Sequence, residues 1–182
     1  MHLPYIWFPK KGSDDWYHVG DYKAINAQVK EDKYPIASIV DFTSELHGTT
    51  IFSHIDLVKA FHQIPIDPED VHKTAICTPF ELFKSTQIQF GLGNTSSTFQ
   101  RFINEVTRGL SCIYAFTGDI LVASKTYEEH IQYLQAFFSR LGHYKLTIKF
   151  FKCTFGVPSL EFLGFQALKE GISPIPNRKN AI

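Results

Sequence analysis

A chain of 182 residues with 44% hydrophobic and 15% aromatic content, seventeen phenylalanines among them, has ample core for one domain or two intertwined lobes and excludes a disordered polymer. Formal net charge is zero, yet residues 121–182 carry eight Lys/Arg against four Asp/Glu, and residues 1–120 ten against fourteen. That asymmetry suits a phosphate-bearing partner beside a metal-binding centre, and scattered solvated charge fits the counts as well. No apolar run approaches the ~20 residues of a membrane span, residues 1–11 lack the order of a signal peptide, and Cys77, Cys112 and Cys153 lack metal-site spacing. These features predict a reducing, intracellular setting and no membrane partner.

The chain opens with two short strand patterns, Tyr5–Pro9 and Trp16–Gly20, around the polar tip Lys10–Asp15. Tyr34-Pro35 breaks the chain, and Ala37–Leu46 reads as a short helix ended by His47-Gly48. Thr50–Asp56 alternates as a strand with Phe52, His54 and Asp56 on one side and Ile51, Ser53 and Ile55 on the other. Ala60–Ile66 is extended or a turn, and 73–90 reads as strands around Thr78–Glu81. A long helix follows Gly91–Asn94, with Phe99, Phe102, Ile103, Val106 and Leu110 at three-to-four spacing. Residues 113–124 form two β-rich runs flanking Thr117-Gly118, a tight hairpin. Thr126-Tyr127-Glu128-Glu129 is a capping box, and its helix offers Ile131, Leu134, Phe138 and Leu141 as an apolar face. Leu146–Cys153 and Leu160–Ala167 are strand-like, and Gly171–Pro176 is extended. The mixture predicts an α+β fold, an antiparallel sheet backed by helices.

Two carboxylates stand out: Asp56 at a strand end and Asp119 just past the hairpin tip. Side by side they would suit a hard divalent cation shared with substrate phosphate. Either, read alone, is an ordinary turn or strand-end cap.

The words around them are more specific. Phe52–Pro65 resembles the first catalytic motif of reverse transcriptases from gypsy-type LTR retrotransposons. Phe90–Asn94 with Ser97–Phe102 resembles that family's second motif, Gly20–Asn26 its fingers motif, and Leu160–Phe165 its primer-contacting turn. The hairpin resembles the signature in which an aromatic and any residue precede two aspartates. The resemblance implies a right-hand polymerase, with fingers in 1–31 and 64–104, palm in 32–63 and 105–182, and no thumb within this stretch. It implies deoxynucleotide addition to a primer on an RNA or DNA template, from deoxynucleoside triphosphates, with two magnesium ions. By position, Asp56 and Asp119 match metal ligands and Lys152 the lysine proposed to protonate pyrophosphate; a surface lysine beside Lys149 is the competing reading. Lys10 or Lys11 and Lys23 match basic fingers positions, or are solvated charge. Phe61 matches the residue that excludes a 2′-hydroxyl, or is core. Gln100 matches a nucleotide contact, or is an exposed helix polar residue. Phe162, Leu163 and Gly164 match the primer contact.

The chain also departs from the family. Phe116-Thr117-Gly118-Asp119 stands where the family has Tyr-x-Asp-Asp, so Gly118 replaces a ligand shared by both metals. Losing a carboxylate there predicts weakened metal binding and a rate drop of about a thousandfold or more. Glycine tolerates a hairpin turn, so the fold is expected to survive. Tyr17 stands where the family has a triphosphate-binding arginine, and Lys23 loses an arginine's planar fork. Gln87-Ile88-Gln89 replaces Arg-Met-Pro, and Glu81 a turn glycine. The implied function is therefore a reverse transcriptase domain inactive or crippled in this copy, the alternative being a non-catalytic nucleic-acid-binding or protein-binding remnant.

Overall fold

In chain order the elements are β1 (Tyr5–Pro9), β2 (Trp16–Gly20), α1 (Lys23–Asn26), α2 (Thr43–Leu46), β3 (Ile51–Asp56), β4 (Ile76–Cys77), β5 (Leu82–Phe83) and α3 (Thr95–Thr107). They continue with β6 (Ile113–Phe116), β7 (Asp119–Ser124), α4 (Tyr127–His143), β8 (Thr154–Val157), β9 (Leu160–Phe162), β10 (Phe165–Leu168) and β11 (Gly171–Pro174). This is a computed structural model, and it describes residues 5–9, 16–36 and 39–175. Contacts divide the chain into two compact units: residues 1–34 with 59–99, and residues 35–58 with 100–182.

The first unit carries the antiparallel β1–β2 hairpin and the two-residue pair β4–β5. It is tied together through asparagines. Asn26 Nδ2 donates to the Gly91 carbonyl (2.8 Å) and its Oδ1 accepts from the Gly93 N–H (2.8 Å). Asn94 Nδ2 donates to the Lys30 carbonyl (2.9 Å), and its Oδ1 accepts from the Asp32 N–H (3.0 Å). A Cβ at Gly93 would stand 3.4 Å from Asn26 Oδ1, so glycine permits the close approach. The strands expected over 73–90 shrink to four residues because Val71–Thr74 closes as a 3₁₀ turn. There the Thr74 hydroxyl donates to the Val71 carbonyl (2.7 Å) and accepts from the Ser85 N–H (2.8 Å).

The second unit is built on a four-stranded antiparallel sheet of order β6-β7-β3-β8. Period-two alternation gives its central strands two different faces. On one, Phe52, Tyr114, Leu121 and Ala123 pack with Leu46 of α2 and with Leu160, Phe162 and Ala167 of the smaller β11-β10-β9 sheet. On the other, Ser53 and Ser124 meet His130 of α4. The capping box at the start of α4 forms: Thr126 Oγ1 accepts from the Glu129 N–H (3.2 Å), and Glu129 Oε2 accepts from the Thr126 N–H (3.3 Å).

The buried face of α4 differs from the expected one. His130, Phe137 and Leu141 are buried, while Ile131 is 54% and Phe138 37% exposed. The buried stripe runs i, i+7, i+11; of the expected face of Ile131, Leu134, Phe138 and Leu141 it keeps Leu141 and otherwise lies one residue round. Its polar member fixes the rotation. His130 Nε2 lies 2.6 Å from Ser53 Oγ and Nδ1 2.9 Å from Ser124 Oγ. The region expected as strand over Leu146–Cys153 instead holds one bridge, Leu57 to Ile148, and a 3₁₀ turn at Phe150–Lys152.

Candidate functional site

β3 and β7 are adjacent and antiparallel, and their register sets Asp56 directly opposite Asp119. Each carboxylate has a basic neighbour. Asp119 Oδ1 is 2.8 Å from His54 Nε2, and Asp56 Oδ2 is 3.6 Å from Lys152 Nζ, an ion pair longer than a hydrogen bond. His54 pairs with Leu121 across the sheet, which makes it the diagonal neighbour of Asp119 on the face it shares with Asp56. The Asp56 N–H points at Cys153 Sγ (3.5 Å), and burial pushes that thiol's pKa up, so it stays protonated at neutral pH. Among the described residues no group of three or more His, Cys, Asp or Glu could hold a metal ion.

The tip joining β6 to β7 carries its backbone strain on Thr117 (φ 48°); Gly118 is not among the positive-φ glycines of the described residues. A β-branched residue in the left-handed region is uncommon and needs support from its surroundings. Gln100 gives that support. Its Oε1 accepts from the Thr117 N–H (2.9 Å), and its Nε2 donates to the Ala115 carbonyl (2.9 Å) and to Asn104 Oδ1 (2.9 Å). The side chain is fully buried. Gln100 is thus not the exposed helix polar residue of the alternative reading: it is buried, and its amide bonds the hairpin.

The turn expected from the resemblance to contact primer is a two-residue hairpin in which Leu163 (φ 51°) and Gly164 (φ 83°) both take the left-handed backbone. Phe162 is buried at 2% exposure, its ring edge-on to His54 with centroids 5.7 Å apart, so only Leu163 and Gly164 stand at the tip. In the first unit, Phe61 is half-buried in the 3₁₀ turn Ala60–Gln63, edge-on to Phe99 (5.5 Å) and tilted against the exposed Phe90 (6.4 Å). It is partly core and partly surface. Lys23 is exposed at the start of α1, where its N–H donates to Asp21 Oδ1 (3.0 Å). Lys10 and Lys11 lie outside the described residues.

The site thus gathers Asp56, Asp119 and Lys152 in the second unit, with Phe162 packed on His54 of the same strand. His54 and Cys153 were not singled out in the sequence. For His54 the signal was available, because alternation put it on the face of Asp56. For Cys153 there was none, since its contact with Asp56 crosses 97 residues.

The opposed carboxylates sit on an antiparallel sheet backed by helices, an α+β fold. Residues 8–167 match the family model for "Reverse transcriptase (RNA-dependent DNA polymerase)", and the chain belongs to that family. It is 34% identical over 181 residues to the Retrovirus-related Pol polyprotein from transposon 297 of Drosophila melanogaster, covering 96% of this chain and 17% of that protein. Against the Transposon Tf2-3 polyprotein of Schizosaccharomyces pombe it is 31% identical over 173 residues, covering 94% of this chain and 13% of that one. The chain therefore spans under a fifth of the length of these relatives. Among solved structures it is similar to the foamy viral protease-reverse transcriptase dRH in complex with double-stranded DNA (TM-score 0.90, 23% identity, 100% of this chain and 32% of that one). A second, the foamy viral protease-reverse transcriptase in complex with RNA/DNA hybrid, gives a TM-score of 0.87 at 23% identity over 100% of this chain and 24% of that one. At that identity the likeness is one of fold: the fingers and palm of a right-hand polymerase. The resemblance read from the motifs holds at the level of the family and of retrotransposon Pol polyproteins.

Proposed function

We propose that this chain is the fingers-and-palm part of a retrotransposon reverse transcriptase that receives a primed RNA or DNA template and deoxynucleoside triphosphates but polymerises poorly. In this reading fingers span 1–31 and 64–104 and palm 32–63 and 105–182. One observation carries the reading: Asp56 and Asp119 oppose each other in register while Gly118 occupies the remaining hairpin position. Magnesium would activate the primer hydroxyl and stabilise the leaving phosphate in such a site. Asp56 and Asp119 suffice for one such ion shared with substrate phosphates, and two carboxylates without a third ligand do not fit a two-ion centre. The nucleic-acid partner is supported by the foamy viral structures, which are complexes with double-stranded DNA and with RNA/DNA hybrid. No helix among the described residues is long and apolar enough to cross a membrane. Cys77, Cys112 and Cys153 are all free thiols, which supports a reducing, intracellular setting.

Primer extension on an RNA template tests the reading. The chain as it stands is expected to extend at least about a thousandfold more slowly than its Gly118→Asp variant. Since the left-handed angle falls on Thr117, aspartate enters position 118 without that backbone penalty, and the variant should also gain magnesium-dependent thermal stabilisation. Equal rates for the two proteins, with both folded, would refute the assignment of Gly118 as the defect.

A further inference from the structure

Between His130 and Leu160 the chain carries Arg140, Lys145, Lys149 and Lys152 and no Asp or Glu. Inside that stretch the 3₁₀ turn Phe150–Lys152 holds two large rings in solvent, Phe150 at 70% and Phe151 at 84% exposure. Lys149 Nζ lies 5.4 Å from the centroid of the Phe151 ring, a cation–π distance. Phe150 leans on Phe155 (centroids 5.9 Å, 31°) and lines an open apolar groove with Phe138 and Ile148. Lys152 Nζ reaches to 3.6 Å from Asp56, so the turn adjoins the acidic site.

We propose that Phe150 and Phe151, flanked by Lys149 and Lys152, form a stacking platform for single-stranded nucleic acid at the rim of the Asp56 site. The ligand class follows from two needs met at once. Lysines in a stretch free of carboxylates attract phosphates, and exposed flat rings stack on bases whose faces are free. Duplex bases already stack on one another, so an unpaired strand is the form that can use the rings. An interfacial membrane helix would segregate lysines and rings to opposite faces over several turns, whereas here Lys149 and Lys152 bracket the two rings at one short turn. The platform rests on the nucleic-acid-binding reading above for the kind of ligand and adds a place and a strandedness.

The test is fluorescence anisotropy of the full chain with a labelled oligothymidylate and, separately, a blunt duplex at low salt. The double variant Phe150→Ala/Phe151→Ala should weaken oligothymidylate binding by about tenfold or more and leave duplex binding within about twofold. Phe151→Trp should retain it, and Lys149→Gln should reduce the log–log salt slope by roughly 0.7. Both rings are exposed, so the alanine variants should keep the parent's circular dichroism. Unchanged oligothymidylate affinity in the folded double variant, or an equal loss on duplex, overturns the platform. So does co-sedimentation with phosphatidylserine vesicles that the double variant alone loses, since the rings would then serve a membrane. Duplex binding without oligothymidylate binding removes the platform and keeps the primer–template reading. Ring-dependent oligothymidylate binding without duplex binding does the reverse.

Discussion

Gln100 shows how one buried amide can govern a turn 15 to 17 residues away. Its two hydrogens and its carbonyl oxygen bond Ala115, Asn104 and the strained Thr117. Replacing Gln100 with alanine deletes all three bonds and leaves the Ala115 carbonyl buried without this donor. Net losses near 1 kcal/mol per bond suggest about 2 kcal/mol in total after water re-enters at the turn. For a chain of this size the melting temperature should then fall by roughly 4–8 °C. An unchanged thermal midpoint would show that Thr117 holds its left-handed backbone without the clamp. The sequence could not have separated this role from a nucleotide contact. A glutamine at the start of a long helix reads as an exposed polar residue, and two of its three bonds reach a hairpin distant along the chain.

At the scale of elements, α4 is set by a polar chain running through its buried face. The Ser124 hydroxyl donates to the Thr126 carbonyl (3.1 Å), so it must accept from His130 Nδ1–H. Nε2 then accepts the Ser53 hydroxyl proton, while Ser53 Oγ accepts from the Gly156 N–H (3.0 Å). A neutral imidazole satisfies every partner, and a second ring proton would face a hydroxyl already pointing at it. Burial lowers the His130 pKa below its ordinary value of 6.5. Above that value both folded and unfolded chains are neutral at this site, and no stability is lost. Below it the unfolded chain takes the proton first, so stability falls as pH drops toward the folded pKa. Urea unfolding at neutral pH and at about pH 5 should therefore show a midpoint shift that His130→Gln reduces. The variant should be less stable at neutral pH, where it breaks the chain of bonds. An identical pH dependence in both proteins would place the titration elsewhere; His62, whose pKa is also lowered, is the next candidate. Local signals were legible here, and the tertiary choice was not. The capping box and the Thr117-Gly118 turn rest on neighbours in sequence, and both formed. The helix face was misread because Ile131 and Phe138 are apolar and His130 is not, yet the serines on β3 and β7 recruit the histidine.

Across the whole chain, the ordered motifs made the fold legible in the sequence. What they left open was whether the strands of Asp56 and Asp119 lie side by side. The chain passes between the two compact units at 34/35, 58/59 and 99/100. As a result β3, which carries Asp56 and lies between β7 and β8, comes from a segment of 24 residues between two stretches of the other unit. Residues 100–182 alone would retain β6, β7 and β8 but lose the strand that pairs β7 with β8. They would expose the apolar faces of Leu121 and Val122 and leave His130 without Ser53. A sheet split at its central strand also leaves unpaired backbone groups along β7. The isolated 100–182 fragment is therefore expected to give no cooperative thermal transition by circular dichroism, whereas the 182-residue chain melts cooperatively. Adding a peptide spanning residues 35–58 should restore some of that transition, because it supplies α2, β3 and Leu57 together. A cooperative melt of the fragment alone would mean that the β6–β7 hairpin, α4 and the β9–β11 sheet form a sufficient core without the strand bearing Asp56.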